Sequence, residues 1–228
     1  MGTVPQSAGA IRDHYEPLSR RPIADLFRTT ARPAVMLCVR CGMEADWISY
    51  SSIAVSAAAG VCFWKAAAWP WLLIGGPLLC YLRLWLNMLD GMVALATGSA
   101  SRRGEILNDL PDRISDILIF VGAARSGLAK PDLGYAAAIF ALLTAYVGVL
   151  GQAVGTRRQY GGIMSKPWRM VVLHAGAWAE FIGIDFFHRT ICLSSLTWLD
   201  YACAVVILGC VQTIAVRLRR TFAELKAR

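Results

Sequence analysis

Asn87-Met-Leu-Asp90-Gly91-Met-Val-Ala94, followed by Gly104-Glu-Ile-Leu-Asn108-Asp-Leu-Pro-Asp112, sets oxygen-bearing and very small side chains at the end of an apolar segment. Ionisable groups beside hydrocarbon are costly, so their default reading is functional. On a helix, Asn87, Asp90, Gly91 and Ala94 share one face, and Arg83 joins it one turn earlier. Gly104, Asn108, Asp112 and Asp116 recur every four residues and make a second polar face. A polar loop with Gly98, Ser99 and Ser101 separates the two. Packed together, such faces form an oxygen-rich cleft. Hard divalent cations choose carboxylate and amide oxygens and are commonly held together with substrate phosphates.

Outward from this stretch, the composition is that of a membrane protein. Of 228 residues, 57% are hydrophobic and 17% charged, and the mean hydropathy is +0.50. A soluble domain of this size carries more charge. Met1–Arg20 is polar and lacks the apolar core and cleavage site of a secretory signal. Seven scattered cysteines read as apolar thiols rather than a disulfide framework, and Cys38-x2-Cys41 has no second pair to complete a zinc site. The net charge of +8 raises the question of nucleic acid. Its basic residues flank apolar spans, however, which excludes a nucleic-acid partner from the reading and points to anionic membrane lipids.

The expected fold class is an all-α integral membrane protein with six transmembrane helices and a preceding amphipathic interfacial segment. The spans are expected near Ser49–Phe63, Trp69–Leu89, Ile114–Leu128, Leu133–Val154, Met170–Phe187 and Trp198–Val216. Trp47, Trp64, Trp69, Trp71, Trp168 and Trp198 near their ends fit an interfacial belt. Pro22–Arg40 mixes apolar residues with arginines and is read either as an interfacial helix interrupted near Pro33 or as a loose basic tail. Pro111 is expected to kink the third helix or start it. Lysine and arginine crowd both tails, the Ser99–Arg113 loop and the Gly155–Arg169 loop, so both termini and the motif are expected on the cytoplasmic side.

The spacing resembles the signature of the CDP-alcohol phosphotransferases, Asp-x2-Asp-Gly-x2-Ala-Arg-x8-Gly-x3-Asp-x3-Asp. The separations agree, while Asn87, Leu95 and Asn108 stand where the pattern has Asp, Arg and Asp. The resemblance implies a metal-dependent enzyme of phospholipid biosynthesis. It would transfer the phosphatidyl group of CDP-diacylglycerol to a polar alcohol and release CMP, using Mg²⁺ or Mn²⁺. Asn87, Asp90, Asn108 and Asp112 would be the metal ligands, with Asp112 also the general base. Gly91, Ala94, Ser101 and Gly104 would make room for the cytidine diphosphate. Arg83, Asp109 and Asp116 would support them from behind. An asparagine still offers a carbonyl oxygen but neither charge nor proton uptake, which implies weaker affinity for a metal alone. The expected organisation is a cytoplasmic tail and interfacial segment over 1–46, a six-helix phosphotransferase domain over 47–218 and a basic tail over 219–228. A homodimer in a bacterial inner membrane is implied as well.

The loop from Gly155 to Arg169 holds Arg157, Arg158, Lys166 and Arg169. It is read either as the acceptor site for a phosphorylated alcohol or as an inside-positive anchor. Glu180 and His174, within an apolar span, are read as structural hydrogen-bonding groups or as participants in acceptor or proton handling. Two other classes of function were weighed. A catalytically silent relative that binds CDP-lipid or a membrane partner is motivated by Asn87, Leu95 and Asn108. A small transporter is set aside, because polar residues gather at one edge instead of spreading through several spans.

Overall fold

A computed structural model describes residues 33–99, 102–187 and 196–227. The tail 1–32 lies outside the described residues, as do Ser101, His188 and Arg189 and the side chains of Arg102, Arg103, Asn108 and Asp185. The described chain is all helix and turn, without strands. A short α1 covers 33–40. It is followed by α2 (Ala45–Lys65), α3 (Leu72–Ala96), α4 (Arg102–Ala124), α5 (Pro131–Ala153), α6 (Lys166–Phe187) and α7 (Trp198–Lys226).

Local chemistry explains where these helices start and stop. At the end of α3, Gly98 takes a φ of +67°, which only glycine adopts at no cost. Ser99 N–H then donates to the Ala94 carbonyl at 2.9 Å and Gly98 N–H to that of Leu95 at 3.3 Å, the Schellman arrangement. At the start of α7, Thr197 and Asp200 form a reciprocal capping box. Pro33 is the first described residue of α1, and the stretch before it, where the interruption is expected, lies outside the described residues. Pro111 neither starts nor ends α4, which begins at Arg102, well before the expected Ile114. The third helix therefore carries its charged turns as helix, not as loop.

Six helices close a ring. α2 packs on α3 and α4, α4 on α5, α5 on α7, α7 on α6, and α6 back on α3. Phe63, Leu73, Ile119, Phe120, Met170, Leu173 and Val206 fill the interior, while Leu78, Ile139 and Leu208 face outward. An apolar exterior of this kind is what hydrocarbon requires. All six belt tryptophans are exposed. α2 and α4 cross backbone to backbone at Gly60 and Gly122, where a Cβ on Gly122 would lie 2.2 Å from the Gly60 carbonyl oxygen. The small residues of α5, from Gly134 to Gly151, are buried within this bundle against α4 and α7.

Among the described residues, α2, α3, α5 and α7 are long and apolar enough to cross a membrane. The protein is thus an integral membrane protein by its apolar helices. Six spans had been expected, and α4 and α6 are the two that fall short of that measure. Both carry ionisable residues within their length, among them Asp112, Asp116, Arg169 and Glu180, which are buried in the bundle.

Candidate active site

The carboxy-terminal end of α3 and the amino-terminal ends of α4 and α6 meet at one end of the ring. α3 and α4 scarcely touch through apolar packing, and α4 and α6 are not among the closely packed pairs. Polar side chains bridge the three helices in two rungs, each taking one residue from every helix.

In the first rung, Asp112 Oδ1 accepts from Asn87 Nδ2 and from the ammonium of Lys166. Asp90 lies within electrostatic reach of Asp112 and Lys166. Its own carboxylate turns to α2, accepting from Ser49 Oγ at 2.5 Å and from Gly91 N–H. In the second rung, one turn deeper, Arg83 Nη2 donates to Asp116 Oδ1 at 3.0 Å and to the Asp112 carbonyl oxygen at 2.9 Å. Arg169 Nη2 takes the other oxygen of Asp116 at 2.7 Å. Arg83 is wholly buried, and Arg169 and Asp116 are each 3% exposed. A further pair lies toward the surface, where Arg158 Nη2 and Arg113 Nη2 each reach Asp109 at 2.7 Å.

One face of α4 therefore presents Asp109, Asp112 and Asp116, and these meet Arg158, Lys166 and Arg169 in the same order. Three of the four cations expected at the acceptor site are ion-paired to the motif helix. The fourth, Arg157, is exposed, and its N–H donates to Glu224 of α7 at 3.1 Å. The loop is also tied down by Gln159 N–H to the Gly148 carbonyl and by Arg217 to that of Gly161. Two glycines of this loop, Gly155 and Gly162, take φ of +85° and +104°.

Asn87 and Asp112 are in direct contact, and Asp90 lies within electrostatic reach of Asp112 while its carboxylate bonds to Ser49 and Gly91. A Cβ built on Gly91 meets nothing among the described residues, so open space borders this turn of α3, and Ala94 and Gly104 are only half-buried. Ser101 and the Asn108 side chain lie outside the described residues. Asp116 pairs with Arg83 and Arg169, and through Arg83 it is linked to the Asp112 carbonyl. Sequence reasoning missed Ser49 as the partner of Asp90. The signal was Ser49, Ser52 and Ser56, a buried polar stripe in an otherwise apolar span. Glu180 Oε2 accepts from Trp198 N–H at 2.8 Å and so satisfies a donor at the start of α7, a contact that suits the hydrogen-bonding role. His174 stacks edge-on to Tyr81 with centroids 4.6 Å apart. The six described cysteines are free thiols.

A divalent cation fits this donor set conditionally. Asp90, Asp112 and the Asn87 amide supply hard oxygens, although among the described residues no three of His, Cys, Asp and Glu converge. The buried charges of the two rungs with Asp90 already balance: Arg83, Lys166 and Arg169 against Asp90, Asp112 and Asp116. A bare ion would add uncompensated charge, whereas an ion accompanied by a diphosphate would not.

No family profile matches the chain. It is 29% identical to inner membrane protein YnbA of Escherichia coli strain K12 over 162 residues, 71% of this chain and 79% of that protein. It is 27% identical to the phosphatidylinositol phosphate synthase of Mycobacteroides abscessus over 159 residues, 67% of this chain and 70% of that one. Among solved structures, the phosphatidylinositol phosphate synthase PgsA1 of Mycobacterium tuberculosis with CDP-DAG bound superposes with a TM-score of 0.67 at 20% identity. That match covers 83% of this chain and 92% of the synthase. The same enzyme with manganese and citrate gives a TM-score of 0.66 at 21% identity. Similarity to these synthases agrees with the resemblance carried by the Asn87–Asp112 signature, and the fold is that of the solved synthase.

Proposed function

We propose that the protein is an integral-membrane CDP-alcohol phosphatidyltransferase. It takes CDP-diacylglycerol as donor, passes the phosphatidyl group to a polar alcohol and releases CMP. The observation that carries this reading is the first rung, in which Asn87, Asp112 and Lys166 converge from three helices beside Asp90 and the open space at Gly91. Relatives named as phosphatidylinositol phosphate and archaetidylinositol phosphate synthases support transfer chemistry over silent binding.

In this reading the acceptor hydroxyl oxygen attacks the phosphorus bonded to diacylglycerol. A new P–O bond forms, the P–O bond to CMP breaks, and Asp112 takes the hydroxyl proton. Asn87 orients the Asp112 carboxylate through its amide N–H. The cations of the loop and of α6, foremost Lys166 and Arg157, suit a phosphorylated alcohol, whose charge they would neutralise. Mg²⁺ or Mn²⁺ would be held by Asp90 and Asp112 with the amide oxygens of Asn87 and Asn108. It would neutralise charge on the diphosphate and on the departing CMP. Gly91, Ala94, Ser101 and Gly104 would border the nucleotide.

The full arrangement would be six spans, with α4 and α6 crossing as members of the ring, and with the motif and both termini in the cytoplasm. The transferase domain would run over 47–218 between a tail and interfacial segment at 1–46 and a basic tail at 219–228. A homodimer in a bacterial inner membrane completes the proposal. The test is CMP release by purified protein given CDP-diacylglycerol, Mn²⁺ and, separately, inositol phosphate, glycerol phosphate, inositol or serine. Release with one acceptor is expected. No release with any acceptor, and no thermal stabilisation by the donor, would refute the reading.

A further inference from the structure

We infer that Asp116, held between Arg83 and Arg169, is a positioning residue that sets the height of α6 so that Lys166 meets Asp112. The inference rests on the transferase reading of the first rung and deepens it. Asp116 lies outside the motif, four residues beyond Asp112.

The case begins with packing. α6 docks on α3 and α7 but is not closely packed on α4, and α3 and α4 scarcely touch. Direct packing between α4 and α6 therefore does little to set their relative height, which otherwise follows only indirectly, through α3 and α7. The proposed site sets a residue of α6, Lys166, against one of α4, Asp112. Asp112 and Asp116 are one turn apart on α4, Lys166 and Arg169 are one turn apart on α6, and Asn87 and Arg83 are one turn apart on α3. The two rungs are thus the same three-helix connection repeated at one helical pitch. Fixing the inner rung fixes the outer one.

The inner rung is built to be rigid. Arg83 and Arg169 side chains are 0% and 4% exposed, and each gives one guanidinium nitrogen to a separate oxygen of Asp116. Arg83 also grips the Asp112 carbonyl, so it fixes α4 twice. Planar guanidinium groups hold direction in a way that an ammonium on a flexible stem does not. The outer rung uses that flexible group, and the Lys166 side chain is 17% exposed. A stiff brace below and a movable cation above is a sensible division for a site that must admit a substrate. Charge alone does not explain the brace. Asp116 meets two arginines although Arg83 also lies 3.6 Å from the Asp112 carboxylate, and among the described residues Arg83 Nε and Nη1 and Arg169 Nε have no hydrogen-bond partner. Such an arrangement costs stability, and a hydrophobic contact between α4 and α6 would be cheaper.

The experiment uses the full chain as wild type, Asp116→Asn and the charge-balanced double variant Asp116→Asn/Arg169→Gln. The double variant leaves no extra buried charge and so guards against simple misfolding. Two measurements are made. Steady-state CMP release with CDP-diacylglycerol, Mn²⁺ and inositol phosphate separates donor KM, acceptor KM and kcat. Pulsed-EPR distances between labels at Leu110 of α4 and Trp168 of α6, both exposed, report helix position on a background without native cysteines.

Both variants are expected to raise acceptor KM by about tenfold or more, with donor KM within about threefold, because the donor side rests on α3 and α4. The label distance is expected to shift or broaden. Donor and acceptor KM moving together, or an unchanged label distance in the double variant, overturns the inference. A wild-type chain that releases no CMP with any acceptor overturns the transferase reading instead, and the label distance then decides alone whether the brace exists.

Discussion

Asp112 is asked to do two things that compete. Its Oδ1 receives both the Asn87 amide and the Lys166 ammonium, yet the proposed chemistry needs that carboxylate to accept a proton. Replacing it should therefore remove the chemistry and, because Asp112 is one of several proposed metal ligands, weaken donor binding without abolishing it. Asp112→Ala is expected to lower turnover by about 10²- to 10⁴-fold, the usual worth of a positioned base, with CDP-diacylglycerol still raising the unfolding temperature. Activity near wild type would remove Asp112 from the mechanism. Asn87 offers a second handle. Its replacement by aspartate adds a charge to ground that is otherwise balanced, so Asn87→Asp should draw a divalent cation without help from the diphosphate. In an EPR titration of free Mn²⁺ the variant is expected to bind at lower metal concentration than wild type in the absence of donor. Identical titrations would mean that residue 87 is not a ligand.

At the scale of elements, the site depends on α4 being seated correctly, and Gly60 and Gly122 seat it. A methyl group on Gly122 would collide with the Gly60 carbonyl and Cα, both backbone atoms that cannot swing aside. Gly122→Ala should cost about 1–3 kcal/mol by overpacking and lower the unfolding temperature in detergent. Gly75, also helical but with nothing near its Cβ position among the described residues, is the control and should tolerate alanine. Equal effects at both positions would show that the loss is not a crossing effect. This crossing was not legible in the sequence, because a glycine in an apolar span looks the same whether it faces lipid or a neighbour. The motif was legible, since Asp90, Asp112 and Gly91 carry meaning through type and spacing alone. So were the starts of α6 and α7 to within a few residues, from Trp168 and Trp198 at the ends of apolar runs. The start of α4 was not. The four-residue spacing from Gly104 to Asp116 suited a helix while Pro111 left its start open, and the cations donated by α6 and the 154–165 loop pair with that face. Nothing in the spacing of Lys166 and Arg169 foretold their partners, because those partners lie on another helix.

The whole molecule poses the question of direction. The α3–α4 turn, the 154–165 loop and the end of α7 gather at one end, as the Lys166–Asp112 and Arg157–Glu224 contacts require. Arg102, Arg103, Arg157, Arg158, Arg219, Arg220 and Lys226 lie at that end. Lys65, Arg125 and Lys130 lie at the other. A bilayer that retains positive loops in the cytoplasm would set the motif inside, where a nucleotide donor is made. Single cysteines tell the two faces apart, on a background lacking the native thiols. Ser99 and Tyr160 are exposed at the motif end, and Ala68 and Lys130 at the far end. A membrane-impermeant maleimide added to intact cells should label Ala68→Cys and Lys130→Cys, and should reach Ser99→Cys and Tyr160→Cys only after lysis. The reverse pattern would put the active site outside and remove access to cytoplasmic CDP-lipid headgroups. Labelling of Ser99→Cys together with Ala68→Cys before lysis would mean that α3 does not span, and a ring of six crossing helices could not then stand.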